Sequence, residues 1–318
     1  MGGMDNKTAH TLRELNNRFY QQQAGSFSST RNNSWPGWEL CLEAMDADIV
    51  KRGCANRSSA MEPPSVDSNP NCAAVNYGFV PTSVADVACG NMRFLPWLQG
   101  KRSDVQIDYW GFDSCPELAD AALAQFGEGV AAHSHFVQLD ALEVLLGEVG
   151  EGEVADDSGE VGEGLLLCDG GDGTGSGFVD GRQFDLVCCF GFMHHVPGVE
   201  NRVNMLRMLL DMAKPGGYVA VSFWQFMNSP ELAKRALGTT EEGLIDLRLE
   251  PDALEPGDYL LGWNGQDGAY RYCHHFEVEE LESLASQMGD QAELITHFDC
   301  DGRTGNLNGY LVLRKMVG

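Results

Sequence analysis

Apolar residues first recur at helical spacing near the N-terminus. Leu12, Leu15 and Phe19 share one face of residues 8–22, with Gly25 as a stop. Trp38, Leu42, Met45 and Ile49 form a second stripe at spacings of four, three and four, after a start marked by Ser34 and Pro36. From residue 53 to 77 the chain is rich in Ser, Asn and Pro without a period, which predicts a long surface loop. The pattern then becomes one of short apolar runs separated by helical stripes. Strands are predicted over 84–88, 107–112, 135–139, 184–190 and 218–224. The run at 184–190 is nearly continuous, as in a strand buried on both faces of a parallel sheet. Between the strands, a helix is predicted over 93–98. Ser114 and Glu117 have capping-box spacing ahead of the stripe Leu118, Ala122 and Phe126. Val203, Leu206, Leu210 and Ala213 mark a third helix, stopped by Pro215-Gly216-Gly217. Strands alternating with helices imply a doubly wound α/β sheet. Beyond it, 231–249 is predicted helical and exposed and 277–288 helical, while 292–298 and 310–314 are strands joined by a turn-rich segment.

One stretch breaks the pattern. Residues 148–180 hold ten acidic side chains and no Lys or Arg, among many glycines. Low hydrophobicity with charge of one sign cannot repay the entropy of ordering, so a mobile acidic insertion is expected there. The spacing of a Ca²⁺-binding loop is missing. Outside this stretch the chain is still acidic, and its formal charge of −26 argues against a general polyanion binder, since phosphate contacts need Lys and Arg. Ten cysteines include no C-x-x-C pair, and Cys89, Cys188 and Cys189 fall in predicted strands or turns, the pattern of reduced, buried thiols. The N-terminus lacks a basic and then apolar leader, and no run of about 18 apolar residues occurs, so a cytoplasmic protein with no membrane partner is expected.

The candidate chemistry sits at predicted strand ends. Asp86 ends the first strand and runs into a Gly90-containing turn before a helix, an arrangement that brings a ligand against backbone N–H groups. Asp113 ends the second strand and Asp140 follows the third. An acid some 20 residues beyond a glycine turn also suits a dinucleotide, but G-x-G-x-x-G is absent and no second catalytic domain follows. His194 and His195 follow the fourth strand, at the edge where ligands bind in open α/β sheets. They lack a third metal ligand at recognisable spacing, so no metal is expected.

In this order SVADVACGNMRFL, YWGFDSCPELADAAL, FVQLDAL, FDLVCCFGFMHHVP and KPGGYVAVSFWQF resemble the motifs of class I S-adenosylmethionine-dependent methyltransferases. The resemblance implies a Rossmann-like, mostly parallel seven-stranded sheet ending in a hairpin. With the N-terminal helices it gives a helical cap at 1–52, a linker at 53–80 and the methyltransferase domain at 81–318. It also implies S-adenosylmethionine as cofactor. Asp86 would support the turn and the amino-acid tail, with Ala88, Cys89 and Gly90 forming the turn. Asp113, beside Ser114, would take the ribose hydroxyls. Asp140, Ala141 and Leu142 would hold the adenine, and Phe190 would complete the wall. The chain departs from the family's D-x-G-x-G-x-G at Ala88 and Met92, and methionine is a long side chain for a position where close packing is expected.

RFYQQQAGSFSSTRNNSWPGW, HHVP, SFWQF and GDYLLGW with YRYCHHFEVEEL are further similar to the tRNA wobble-uridine carboxymethyl methyltransferases. That resemblance implies a carboxylate on tRNA as acceptor; with a chain this acidic, a tRNA substrate would call for a basic partner subunit. Arg31 would anchor a substrate or cofactor carboxylate, with Arg271 and His274 as second candidates, because a planar guanidinium holds a carboxylate by two parallel bonds. For a hydroxyl or amine acceptor, His194 or His195 is the candidate base. The alternatives are a small-molecule O- or N-methyltransferase and a non-catalytic cofactor-binding module.

Overall fold

In the computed structural model, five strands pair in parallel: β1 (Ser83–Val87), β2 (Asp108–Asp113), β3 (Ser134–Gln138), β4 (Phe184–Cys189) and β5 (Ala213–Trp224). Two more complete the sheet, β8 (Ala292–Cys300) and β9 (Asn308–Lys315), in the order β3-β2-β1-β4-β5-β9-β8. β9 runs antiparallel to both of its neighbours, β5 and β8. The structure describes residues 4–29, 33–58, 78–123, 126, 130, 132–147, 181–263, 265–266 and 268–318. The acidic insertion expected at 148–180, Arg31, and residues 59–77 of the expected loop lie outside them.

Alternation along each strand divides the core into two layers. On one face Val187, Val219 and Leu311 pack against Leu206 and Leu209 of α6 (Val199–Met212) and Leu281 and Leu284 of α8 (Val278–Ser286). On the other, Val84, Tyr109, Cys188 and Val312 pack against α2 (Pro36–Ser58), α3 (Phe94–Lys101) and α4 (Pro116–Leu123). This is why the β4 segment is apolar throughout. A short helix, α5 (Ala141–Leu145), follows β3, and α7 (Pro230–Leu247) follows β5. The stop predicted at Pro215-Gly216-Gly217 is absorbed into β5, where a register irregularity opens against β4. A Cβ on Gly217 would lie 2.9–3.1 Å from three carbonyl oxygens, so only glycine fits.

The N-terminal segment has two destinations. Helix α2 covers a sheet face, burying Trp38, Leu42 and Met45, and continues past the predicted loop start through Gly53 to Ser58. Glycine costs a helix only about 1 kcal/mol, which the buried stripe outweighs. Helix α1 (Asn6–Ser29) instead puts Leu12 and Leu15 on a separate hairpin, β6 (Asp258–Gly262) with β7 (Tyr270–His274). That hairpin does not join the main sheet, and all five residues of β7 are buried. Asn16 on α1 completes its backbone: Oδ1 accepts from the Tyr272 N–H at 2.7 Å and Nδ2 donates to the Tyr272 carbonyl at 3.2 Å.

The start of α2 is clamped to β9. The Gly37 N–H donates to the Asp301 carboxylate at 3.1 Å, and the Tyr310 hydroxyl donates to the same carboxylate. A Cβ at Gly37 would come within 2.2 Å of the buried Tyr310 ring. Gly37→Ala is therefore expected to lower stability by about 1–3 kcal/mol through overpacking, read as a fall in the urea midpoint at unchanged slope.

None of the described helices is long and apolar enough to cross a membrane. All eight described cysteines are free, and six of them are buried.

Candidate functional site

The carboxyl ends of β1 to β4 open into one cavity of about 560 Å³, covered by α1 and the start of α2. At the end of β1, Asp86 is buried and accepts a hydrogen bond from the Tyr109 hydroxyl. Burial pushes its carboxyl up to about 7, against the Tyr109 hydrogen bond and with a smaller push from Asp113. Next, Ala88, Gly90 and Met92 all adopt positive φ, at 58°, 53° and 50°. Two non-glycine residues in that region cost about 1–2 kcal/mol each, so the turn is held by its surroundings. Met92 points away from the cavity into the core, beside Cys89 and the space left by Gly111. A Cβ on Gly111 would lie 2.9 Å from Cys89 Sγ and 3.3 Å from Met92 Cε. The methionine in this turn thus obstructs nothing, and Gly90 keeps open space on its cavity side.

Asp113 closes the turn from β2. Its Oδ2 accepts from the Gly90 N–H at 2.8 Å and its Oδ1 from the Cys115 N–H at 2.9 Å. Burial nevertheless raises its carboxyl to about 6. Asp140 caps α5, with Oδ1 accepting from Leu142 N–H at 2.9 Å and Glu143 N–H at 3.3 Å. Its Oδ2 accepts from Arg13 Nε and from Asn17 Nδ2 of α1, both at 2.7 Å. The third acid therefore fastens α1 over the cavity. Ala88, Cys89, Ser114, Ala141 and Leu142 line the same wall. Phe190, just past β4, stands 5.1 Å from Phe94 and 5.8 Å from Trp38, ring centre to ring centre. All ten residues expected at the cofactor thus line one cavity.

His194 and His195 line the side of the cavity nearest the β6–β7 hairpin. Both rings are buried, 4.0 Å apart at their centres, and His194 meets Trp224 edge to face at 5.0 Å. His195 Nε2 lies 2.6 Å from the Tyr20 hydroxyl and Nδ1 lies 2.9 Å from the Tyr272 carbonyl oxygen. Cys273 supplies the third metal-type ligand that spacing did not show, the three ligand atoms falling within 4.8 Å of one another. Both nitrogens of His195 are already engaged by the protein.

The other predicted anchors fall elsewhere. Arg31 is outside the described residues. Arg271 is buried behind the cavity wall, its guanidinium 5.3–5.4 Å from the ring centres of Phe19, Trp224 and Trp263. His274 does not line the cavity; it bridges Asp258 at 2.7 Å and Glu280 at 2.8 Å. Burial opposes charge on that imidazole, but the two carboxylate hydrogen bonds prevail and raise it above the usual histidine value. The cation that does line the cavity is Arg93, alone of its kind among the described lining residues. It lies over Trp35 at 4.8 Å and Trp38 at 5.3 Å and donates to the Asn33 carbonyl at 2.7 Å. Its place directly after the Gly90 turn was the signal available in the sequence. Tyr20, Asn16 and Asn17 carried none beyond their place on an amphipathic helix.

Residues 64–291 match a family described as a methyltransferase domain. No curated protein sequence matches the chain. Among solved structures, an S-adenosylmethionine-dependent methyltransferase from Methanosarcina mazei is similar at 18% identity and a TM-score of 0.48, over 74% of this chain and 93% of that one. The protein of a DhpI–SAM–HEP complex is similar at 14% identity and a TM-score of 0.48, over 96% and 98%. The N-methyltransferase NodS from Bradyrhizobium japonicum, in complex with S-adenosyl-L-homocysteine, is similar at 9% identity and a TM-score of 0.40, over 84% and 98%.

Proposed function

The chain belongs to the methyltransferase-domain family, and from that premise we propose that it transfers the methyl group of S-adenosylmethionine to a small acceptor held beneath α1. The observation that carries this reading is the convergence of Asp86, Gly90, Asp113 and Arg93 on one cavity with aromatic walls. The donor set fits the cofactor part by part. Asp113 offers its remaining lone pairs to a ribose diol, Asp86 places negative charge near the ammonium and sulfonium, and Arg93 suits the tail carboxylate. Leu142 and Ala141 give an apolar flank for the adenine. When bound, the cofactor supplies a methyl group on positively charged sulfur that leaves by in-line displacement. The chain's part is to hold an acceptor at near-attack distance and exclude water, for which α1, tied down through Asp140, is the cover.

A small acceptor is favoured over tRNA by charge. Asp and Glu number 47 against 21 Lys and Arg, and phosphate contacts require the opposite balance. The basic partner subunit expected for an RNA substrate has no role in this reading.

Calorimetry tests the cofactor assignment. The parent protein is expected to bind S-adenosylmethionine and S-adenosylhomocysteine, and Asp113→Ala to bind each about 10- to 100-fold more weakly, the worth of one charge-assisted hydrogen bond or slightly more. No heat from the parent at millimolar cofactor would leave a protein that has lost the family's chemistry. Labelled cofactor offered with total small RNA and, separately, with a metabolite extract then assigns the acceptor class by which fraction takes up label.

A further inference from the structure

We propose that Tyr20 and His195 are the proton-accepting pair of this site, so that the acceptor is a hydroxyl or amine that loses a proton on methylation, not a carboxylate. The inference rests on the methyltransferase reading and narrows it.

Hydrogen-bond polarity carries the first step. The Tyr272 carbonyl can only accept, and it lies 2.9 Å from His195 Nδ1. Were Nδ1 bare, two lone pairs would face each other at that distance. Nδ1 therefore carries the proton, and Nε2 accepts from the Tyr20 hydroxyl at 2.6 Å. The carbonyl is itself fixed, because Asn16 grips both the N–H and the C=O of Tyr272. Asn16 Nδ2 is also 3.1 Å from Nδ1, and a bond donated there would reverse the pair. The shorter carbonyl contact decides against it.

Placement carries the second step. Tyr20 and His195 both line the cavity, with Phe192 6.4 Å from the His195 ring and Trp224 5.0 Å from His194, centre to centre. Arg271 lies behind Tyr20 and hydrogen-bonds to it, so a full positive charge sits on the side of the phenol away from solvent. That charge favours passage of the Tyr20 proton to His195 Nε2. Among the described residues, the His194 ring and the Cys273 thiol, 3.9 Å from Nδ1, also face the pair.

The acceptor's oxygen or nitrogen forms a bond to the methyl carbon as the carbon–sulfur bond breaks, its electron pair going to sulfur. The acceptor's proton passes to the Tyr20 oxygen while the Tyr20 proton passes to His195 Nε2. The resulting imidazolium keeps its Nδ1–H on the Tyr272 carbonyl and releases a proton to water after product departs. Tyr20 is the catalytic residue in this scheme, and Arg271 a positioning residue behind it.

Two measurements on the full chain test the proposal. With ¹⁵N-labelled histidine and saturating S-adenosylhomocysteine, long-range ¹H–¹⁵N spectra are expected to show His195 as the Nδ1–H tautomer, and the Nε2–H form would overturn the polarity. With labelled S-adenosylmethionine and three probes, catechol, tyramine and benzoate, label is expected in catechol or tyramine and not in benzoate. Tyr20→Phe should lower kcat about 100-fold, leave KM and cofactor affinity within about twofold, and remove the acid limb of the kcat profile. Label in benzoate alone, no label in any probe while cofactor is bound, or an unchanged kcat profile in Tyr20→Phe would each overturn the pair. Failure of the parent to bind cofactor at all would instead remove the methyltransferase reading on which the pair rests.

Discussion

Arg202→Met is expected to destabilise the protein by about 3 kcal/mol, measured by urea denaturation, because it strips a buried cation from a network of partly buried acids. Arg202 is 3% exposed on α6 and pairs with Glu280 at 3.0 Å and Glu255 at 3.2 Å. Glu280 also receives His274 Nε2, whose Nδ1 reaches Asp258. Asp258 in turn accepts from the Tyr272 hydroxyl at 2.7 Å and the Glu255 N–H at 2.9 Å. Removing the guanidinium leaves, among the described residues, the Glu255 carboxylate to the Met4 N–H and the Glu280 carboxylate to His274. Methionine fills volume but supplies no charge. A loss below about 1 kcal/mol would show that water satisfies these carboxylates and that the network contributes little.

The same network explains why His274 serves the site from a distance. It joins α6, α8 and the β6–β7 hairpin, and that hairpin presents the Tyr272 carbonyl to His195. Since the His274 imidazole is raised, its pairing contributes stability that is fully present below the unfolded histidine value and is lost as pH rises through the folded one.

What the sequence revealed followed from periodicity and from position along the chain. The run Phe184–Cys189 announced a doubly buried strand, and Asp86, Asp113 and Asp140 were found because each closes or follows a strand at one edge of the sheet. Partners far apart in sequence were invisible. Tyr20 and His195 meet across 175 positions, and neither an amphipathic helix nor a His-His pair predicts the other. His274 was a candidate carboxylate anchor through the resemblance carried by YRYCHHFEVEEL; that Asp258 and Glu280 already flank it is a fact of packing. Met92 looked obstructive in one dimension, and only its packing against Gly111 in the core shows where its side chain goes. The N-terminal helices read as one cap because amphipathic stripes say that a face is buried, not against which surface.

Cofactor binding is expected to release protons near neutral pH and to strengthen as pH rises from about 5 to 8. In the protein alone, burial holds Asp86 at about 7 and Asp113 at about 6, so at pH 6.5 both are partly protonated. A ligand bearing sulfonium and ammonium charge beside them favours the carboxylates, lowers both values and expels protons. By linkage the affinity should fall up to tenfold per proton for each unit of pH below the free-protein values, so binding at pH 5 should be weaker than at pH 8 by up to about 1,000-fold. Fold stability runs the other way. Carboxyls raised above their unfolded values contribute fully below about 4, and that contribution is lost as pH climbs through 6 and 7. The thermal shift produced by cofactor should therefore grow with pH as the protein alone weakens. Asp86→Asn keeps an acceptor for the Tyr109 hydroxyl and should remove the share that titrates near 7, with weaker binding at pH 8 and a smaller proton release. Calorimetry at pH 6.5 in phosphate and in Tris, whose heats of ionisation differ widely, counts the protons directly. Equal heats in the two buffers, with affinity flat from pH 5 to 8, would mean that neither acid faces the cofactor's positive charge.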